Sequence, residues 1–168
     1  MVATMRLYTA FALAALGACA TAYTPSPDRP FEPIAQEFTS SQRVTLRNVQ
    51  TKTEPETSGP WKIDYHAWTD VAIQIAKREL EKRGVQIVPD AQKTIDLAVQ
   101  FATTETGWVK ITSTITMTAA TGNGHSATYT GVNSSAMAAN TKRQIDGALM
   151  RVVVQLLSDP LIVEYLTK

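Results

Sequence analysis

WVKITSTITMTAATGNGHSATYTGV, residues 108–132, decides the fold. Val109, Ile111, Ile115, Met117 and Ala119 fall on one side of a two-residue alternation, and Lys110, Thr112, Thr114, Thr116 and Thr118 fall on the other. A period of two is the pleat of a strand with one buried face. Thr121-Gly122-Asn123-Gly124 follows, and Gly and Asn accept the positive φ that a tight hairpin turn requires. Residues 125–132 then return as the partner strand. A hairpin with one apolar face needs a second layer to cover it.

Two amphipathic helices supply that layer. Trp68, Val71, Ala72, Ile75, Ala76 and Leu80 recur at three- and four-residue spacing. They predict a helix from a cap at Asp64 or a neighbour to about Arg83, with Gly84 as a left-handed C-terminal cap. Ile145, Leu149, Val152, Val153, Leu156 and Leu157 make the stripe of a second helix, capped by Asn140 and running to Ser158. Pro160 ends that register, and residues 161–166 add a last apolar turn or two. Upstream, residues 43–50 read as a strand, 51–60 as a polar loop and 85–88 as a short strand stopped by Pro89. Ile95, Leu97, Val99 and Phe101 alternate with Asp96, Ala98 and Gln100 as a half-buried strand. Residues 133–139 read as a small, polar loop. The order predicts an α/β (α+β) two-layer sandwich: a mostly antiparallel sheet of four to five strands with both helices on one face. The threonine face is left to solvent or to a second subunit.

The chain of 168 residues opens differently. Arg6 precedes an apolar run from Leu7 to Leu16, and Leu16-Gly17-Ala18-Cys19 closes it. A membrane-crossing helix needs about 20 apolar residues, and this run is about half that. A positive residue, a short apolar stretch and small residues before a cut describe a secretory signal. The tetrapeptide resembles the lipobox of bacterial lipoproteins. That resemblance implies that Cys19 becomes the first mature residue and carries a thioether-linked diacylglycerol. Either Met1 or Met5 serves as the start. Ala20 replaces the Asp that marks inner-membrane retention in enteric bacteria, so the resemblance implies the outer membrane, with the domain facing the periplasm. Residues 20–33 contain Pro25, Pro27, Pro30 and Pro33 with no apolar periodicity, which predicts an extended, disordered tether. The division is therefore a signal peptide at 1–18, an acylated cysteine and Pro-rich tether at 19–42, and a single periplasmic domain at 43–168.

Composition narrows the function. The formal net charge is +1, which sets up no long-range field toward nucleic acid. Lys77, Arg78, Lys82 and Arg83 are interleaved with Glu79 and Glu81, the pattern of a solvated helix face. Cys19 is the chain's one cysteine, so a disulfide framework and a thiolate metal site are both excluded.

The mature chain from about Arg43 onward resembles the small periplasmic lipoproteins of the YajG type, which are close in architecture to the auxiliary lipoproteins of bacterial lipid transporters. The resemblance rests on Glu81-Lys82-Arg83-Gly84-Val85, Thr94-Ile95-Asp96-Leu97-Ala98-Val99, the long hairpin, and Leu156-Leu157-Ser158-Asp159-Pro160 with its apolar tail. It implies a binding or accessory role without catalysis, and no catalytic residues to carry over.

Chemistry-bearing residues are sparse. The histidines are His66 and His125, and no Gly-x-Ser-x-Gly elbow accompanies them. His125 beside the Gly-Asn-Gly turn reads as solvent-exposed. Asp64, His66 and Asp70 form the one local group of metal-ligand types, but a cap and two exposed side chains in a first helical turn account for them. No metal, cofactor or enzymatic activity is expected. Trp61 and Tyr65 are the better lead, because aromatics give large contact area at low entropy cost. The alternative is that Trp68 is core and Trp61 packs over the helix start. The sequence thus leads to a lipid-anchored accessory protein that docks on an envelope complex, in transport or in cell-wall synthesis, or else to a small-ligand or lipid carrier. The oligomeric state stays open.

Overall fold

The hairpin forms as its alternation dictates. In the computed structural model, which describes residues 20–35, 37–136 and 141–168, β7 (Ile111–Thr121) pairs antiparallel with both β6 (Lys93–Thr106) and β8 (Ser126–Ser135). Along β7 every odd residue from Ile111 to Thr121 is buried and every even one is half-buried. Gly124 turns the chain with φ 93°. Val109, placed on the apolar face by its parity, lies beyond the strand and is exposed.

The other strands complete a five-stranded sheet in the order β5-β2-β6-β7-β8. β2 (Arg43–Asn48) runs parallel to both β5 (Gln86–Ile87) and β6. The sheet is therefore mixed where a mostly antiparallel one was expected. The reason is α1 (Tyr65–Lys82), a crossover between β2 and β5, and a crossover returns the chain parallel. The Asp64 carboxylate accepts the Ala67 amide at 3.0 Å and caps this helix, as expected. α2 (Thr141–Ser158) and α3 (Pro160–Thr167) follow β8; the cap expected at Asn140 lies outside the described residues. α1 packs on β2, β5 and β6, α2 on β7 and β8, and the two helices touch each other. Both cover one face, so the sandwich has two layers.

Two further features depart from the expectation, besides β8 continuing to Ser135 where a loop was expected from residue 133. A bulge between Val99 and Phe101 shifts the register of β6. Val99 faces the core opposite Met117, but Phe101 lies opposite Thr116, and it is 50% exposed on the open face. An extra residue reverses every later side chain of a strand. The second departure concerns residues 20–42. Instead of a free tether, β1 (Thr21–Ala22) pairs parallel with β4 (Trp61–Ile63), which pairs in turn with β3 (Glu56–Ser58) inside the expected 51–60 loop. Ile34 and Phe38 are buried in the core. Prolines exclude a helix and regular pairing, yet an extended chain can lie on a surface when its side chains find pockets and its polar atoms find partners.

Close packing sets the distance between the layers. A Cβ added to Gly131 of β8 would stand 2.1 Å from the Ala148 carbonyl oxygen of α2. The helix backbone rests directly on the strand there, and only glycine fits.

Candidate functional site

The chain downstream of Cys19 meets the domain along a seam of aromatic and acidic side chains. Trp68 is 1% exposed on the buried stripe of α1, and its indole Nε1 donates to the Tyr23 carbonyl at 2.7 Å. The Tyr23 ring lies against Trp61 with centroids 5.5 Å apart. The Tyr23 hydroxyl donates to Asp146 of α2 at 2.6 Å, and burial together with that carboxylate raises its pKa well above the ordinary phenol value. Asp146 also accepts the Ser26 amide at 3.0 Å and faces Arg29 Nε at 3.6 Å.

Further along, Arg78 donates to the carbonyls of Pro27 and Arg29, and Arg151 pairs with Glu32. The Ala35 amide donates to Ser158, and the Arg83 guanidinium lies over the rings of Phe31 and Phe38. Residues 21–35, with Phe38 beyond them, are thus a strap bound at both helices.

This changes the reading of the aromatic pair. Trp61 is half-buried in β4, where its indole Nε1 is enclosed without a partner. Tyr65, expected at a binding edge, is 3% exposed. Lys52 Nζ sits 4.3 Å from its ring centroid and pairs with Glu56 at 2.8 Å. Burial first, and the nearby Glu56 charge second, raise the Tyr65 pKa. Tyr65 is a packing residue under the β3–β4 hairpin, because the first turn of α1 points it inward beside Trp68. Trp61 keeps one accessible side. The crevice beside it, lined by Ser58, Ile63, Trp68, Ala102 and Ile145 among others, has essentially no room for a water-sized molecule. Small-molecule pockets start at about 300 Å³.

The other candidates are also engaged. Asp70 accepts from Asn48 at 2.7 Å and lies 3.4 Å from His66, while Asp64 is occupied as the helix cap. Among the described residues no three His, Cys, Asp or Glu side chains converge as metal ligands do. His125 is not a free surface residue: its Nε2 lies 3.3 Å from Asp159, which also accepts the Tyr129 hydroxyl at 2.7 Å and caps α3 through the Leu161 amide. Glu79, assigned to a solvated face, is enclosed among Lys82 at 2.8 Å, Arg78 at 3.1 Å and Arg83 at 3.4 Å.

Sequence reasoning missed Asp146. Its one signal is an acid placed next to Ile145 and inside the arc of the buried stripe, a position that costs free energy unless a partner arrives from elsewhere in the chain.

One end of the molecule gathers the seam and the tip of the long hairpin. The Thr21 amide donates to the Pro60 carbonyl at 2.8 Å. A Cβ on Gly59, in the β3–β4 turn, would lie 3.9 Å from the Thr104 carbonyl oxygen near the end of β6. Beyond Thr104, residues 107–110 form a turn closed by the Gly107 amide on the Lys110 carbonyl at 2.8 Å. Trp108 is 106% exposed there and Val109 76%.

No family model and no curated protein matches the chain. Among solved structures, it is similar to protein XCC0632 from Xanthomonas campestris, which carries the family label DUF330, with a TM-score of 0.60 and 19% identity over 86% of this chain and 96% of that one. A weaker similarity reaches a dodecameric PelC from Paraburkholderia phytofirmans, with a TM-score of 0.41 and 15% identity over 81% of this chain and 95% of that one. The chain therefore has the fold of XCC0632, matched over nearly the whole length of that protein.

Proposed function

We propose that this chain is a lipid-anchored accessory lipoprotein of the outer membrane. In this reading Cys19 carries the acyl anchor, and the domain faces the periplasm and docks on a protein component of an envelope complex without catalysing a reaction. The observation that carries the reading is Leu16-Gly17-Ala18-Cys19, followed within two residues by a strap that folds onto the domain. Such a strap holds the domain at a short, fixed distance from the acyl chains, which suits a protein that must present a surface to a neighbour in the same membrane. Among the described residues no helix is long and apolar enough to cross a membrane, and in this reading the acyl chains on Cys19 make the attachment. The XCC0632 fold, with its DUF330 label, is compatible with this assignment.

The lipid-carrier reading is less well supported, because the crevice between the small sheet and the helices is too small for an acyl chain.

Metabolic labelling with a clickable fatty acid tests the anchor. Wild-type protein takes up label and Cys19→Ser does not, since the thioether needs sulfur. A Cys19→Ser chain that still labels overturns the assignment. Co-purification from detergent-solubilised envelopes tests the role: a stoichiometric protein partner is expected, and bound lipid alone would favour the carrier.

A further inference from the structure

We propose that the β6–β7 tip, Trp108-Val109-Lys110, is a second membrane contact, seated at the headgroup–acyl boundary beside the lipid on Cys19. The proposal rests on the lipoprotein reading above for the position of the anchor.

Two observations carry it. The first is exposure. Trp108 and Val109 are the most exposed large apolar side chains among the described residues. They occupy adjacent positions in a turn held by its own Gly107–Lys110 bond, so the local fold keeps them off the domain. An apolar pair presented this way is costly in water, whereas Trp is at home at a membrane interface, where its ring is buried and its N–H stays wet. Lys110 follows immediately and is exposed, and its long stem can reach phosphate groups from there. Glu105 is the nearby acid, two residues before Gly107.

The second observation is where the described chain begins. β1 runs parallel to β4, with Thr21 opposite Trp61 and Ala22 opposite Lys62. Thr21 therefore lies beside Pro60, whose carbonyl accepts its amide, and the neighbouring Gly59 turn borders Thr104. The β6–β7 tip lies four residues beyond Thr104. Cys19 is two residues before Thr21, and two residues reach at most about 7 Å. The acyl anchor and the apolar tip are thus confined to the same end of the sheet, which selects a lipid surface over a second copy of the chain as the occupant. Two contacts fix an orientation where one acyl anchor leaves the domain free to swing. The long strands then stand away from the membrane, and the Gly122–Gly124 turn lies about 37 Å above the tip, the length of an 11-residue strand. The open threonine face and the helices both look sideways, toward neighbours in the periplasm.

The test uses the full chain expressed in a bacterium, purified in detergent and reconstituted into phosphatidylethanolamine–phosphatidylglycerol vesicles. Trp108→Phe supplies the fluorescence blank, since Trp61 and Trp68 belong to the seam, and the difference spectrum isolates Trp108. The expected result is a blue shift on reconstitution and quenching by lipids brominated near the glycerol end of the chain. Val109→Asp keeps the fluorophore and should lose both effects with an unchanged thermal melt. Mass spectrometry of Cys19 is run on the same preparation. Trp108 open to aqueous iodide and unquenched by bromolipid, with Cys19 diacylated, overturns the tip contact and leaves the lipoprotein reading standing. Protection from both quenchers also overturns it, placing a protein surface over the tip. Bromolipid quenching with Cys19 unmodified, after addition to preformed vesicles, supports the tip contact and removes the lipoprotein reading.

Discussion

Glu79 and Asp159 are two enclosed acids held ionised by different means. For Glu79, burial alone would raise the carboxyl pKa, but Lys82, Arg78 and Arg83 outweigh it and hold it below the ordinary range. Charge-assisted hydrogen bonds of this kind contribute about 1.5–3 kcal/mol. Glu79→Gln should therefore lower stability by about 2 kcal/mol, read by urea denaturation, and a neutral result would mean that the cations are fully solvated. For Asp159, burial again raises the carboxyl, and the Tyr129 hydroxyl, the Leu161 amide and His125 bring it below its usual value. A folded pKa below the unfolded one contributes stability above about pH 4, and the contribution is lost as pH falls through the folded value. The stability gap between wild type and Asp159→Asn should accordingly narrow in urea titrations carried below pH 4. A gap that stays constant with pH would show that the carboxylate's charge contributes nothing.

At the scale of elements, the two faces of β7 differ in what they can lose. Ile115 is fully enclosed under the helices, and Ile115→Ala should cost about 2–5 kcal/mol. Thr114 is half-buried on the open face, and Thr114→Ala should cost well under about 1 kcal/mol. Equal costs would mean that the open face is covered. The contact between β8 and α2 is stiffer still. Gly131→Ala drives a methyl into the Ala148 carbonyl, and the helix must lift along the strand. Overpacking of this kind costs about 1–3 kcal/mol. Denaturation reads the loss, and amide exchange in α2 should accelerate near Ala148 before it does in α1.

The strap belongs to the whole molecule, because it ties residues 21–35 to both helices at once. Asp146 gathers the Tyr23 hydroxyl, the Ser26 amide and Arg29 onto α2, while Trp68 holds the Tyr23 carbonyl from α1. Asp146→Ala removes the α2 side of that hold. The Ser26 amide should then exchange far faster in hydrogen–deuterium measurements, with core strand amides little changed. Slow exchange at Ser26 in the variant would place the hold in Trp68 and the buried Ile34 and Phe38 instead.

The sequence by itself determined the elements whose periodicity is uninterrupted: β7 with its hairpin to β8, the amphipathic stripes of α1 and α2, and the Gly84 stop. Hydrophobic spacing is a local property, and these residues report their own burial. Tertiary structure alone decided the rest. The bulge that turns Phe101 outward adds one residue to a strand that still looks regular in one dimension. The parallel pairing of β2 depends on where a crossover helix returns. The strap has no periodicity to read, since its order comes from Asp146, Trp68, Arg78 and Arg151, all distant in sequence. Trp61 and Tyr65 looked alike as aromatics near a helix start, yet Tyr65 lies inside and Trp61 half outside, because helix phase and strand phase separate them. Val109 is exposed for the converse reason: in sequence it continues the apolar alternation of β7, and only the closed turn at residues 107–110 lifts it off the domain.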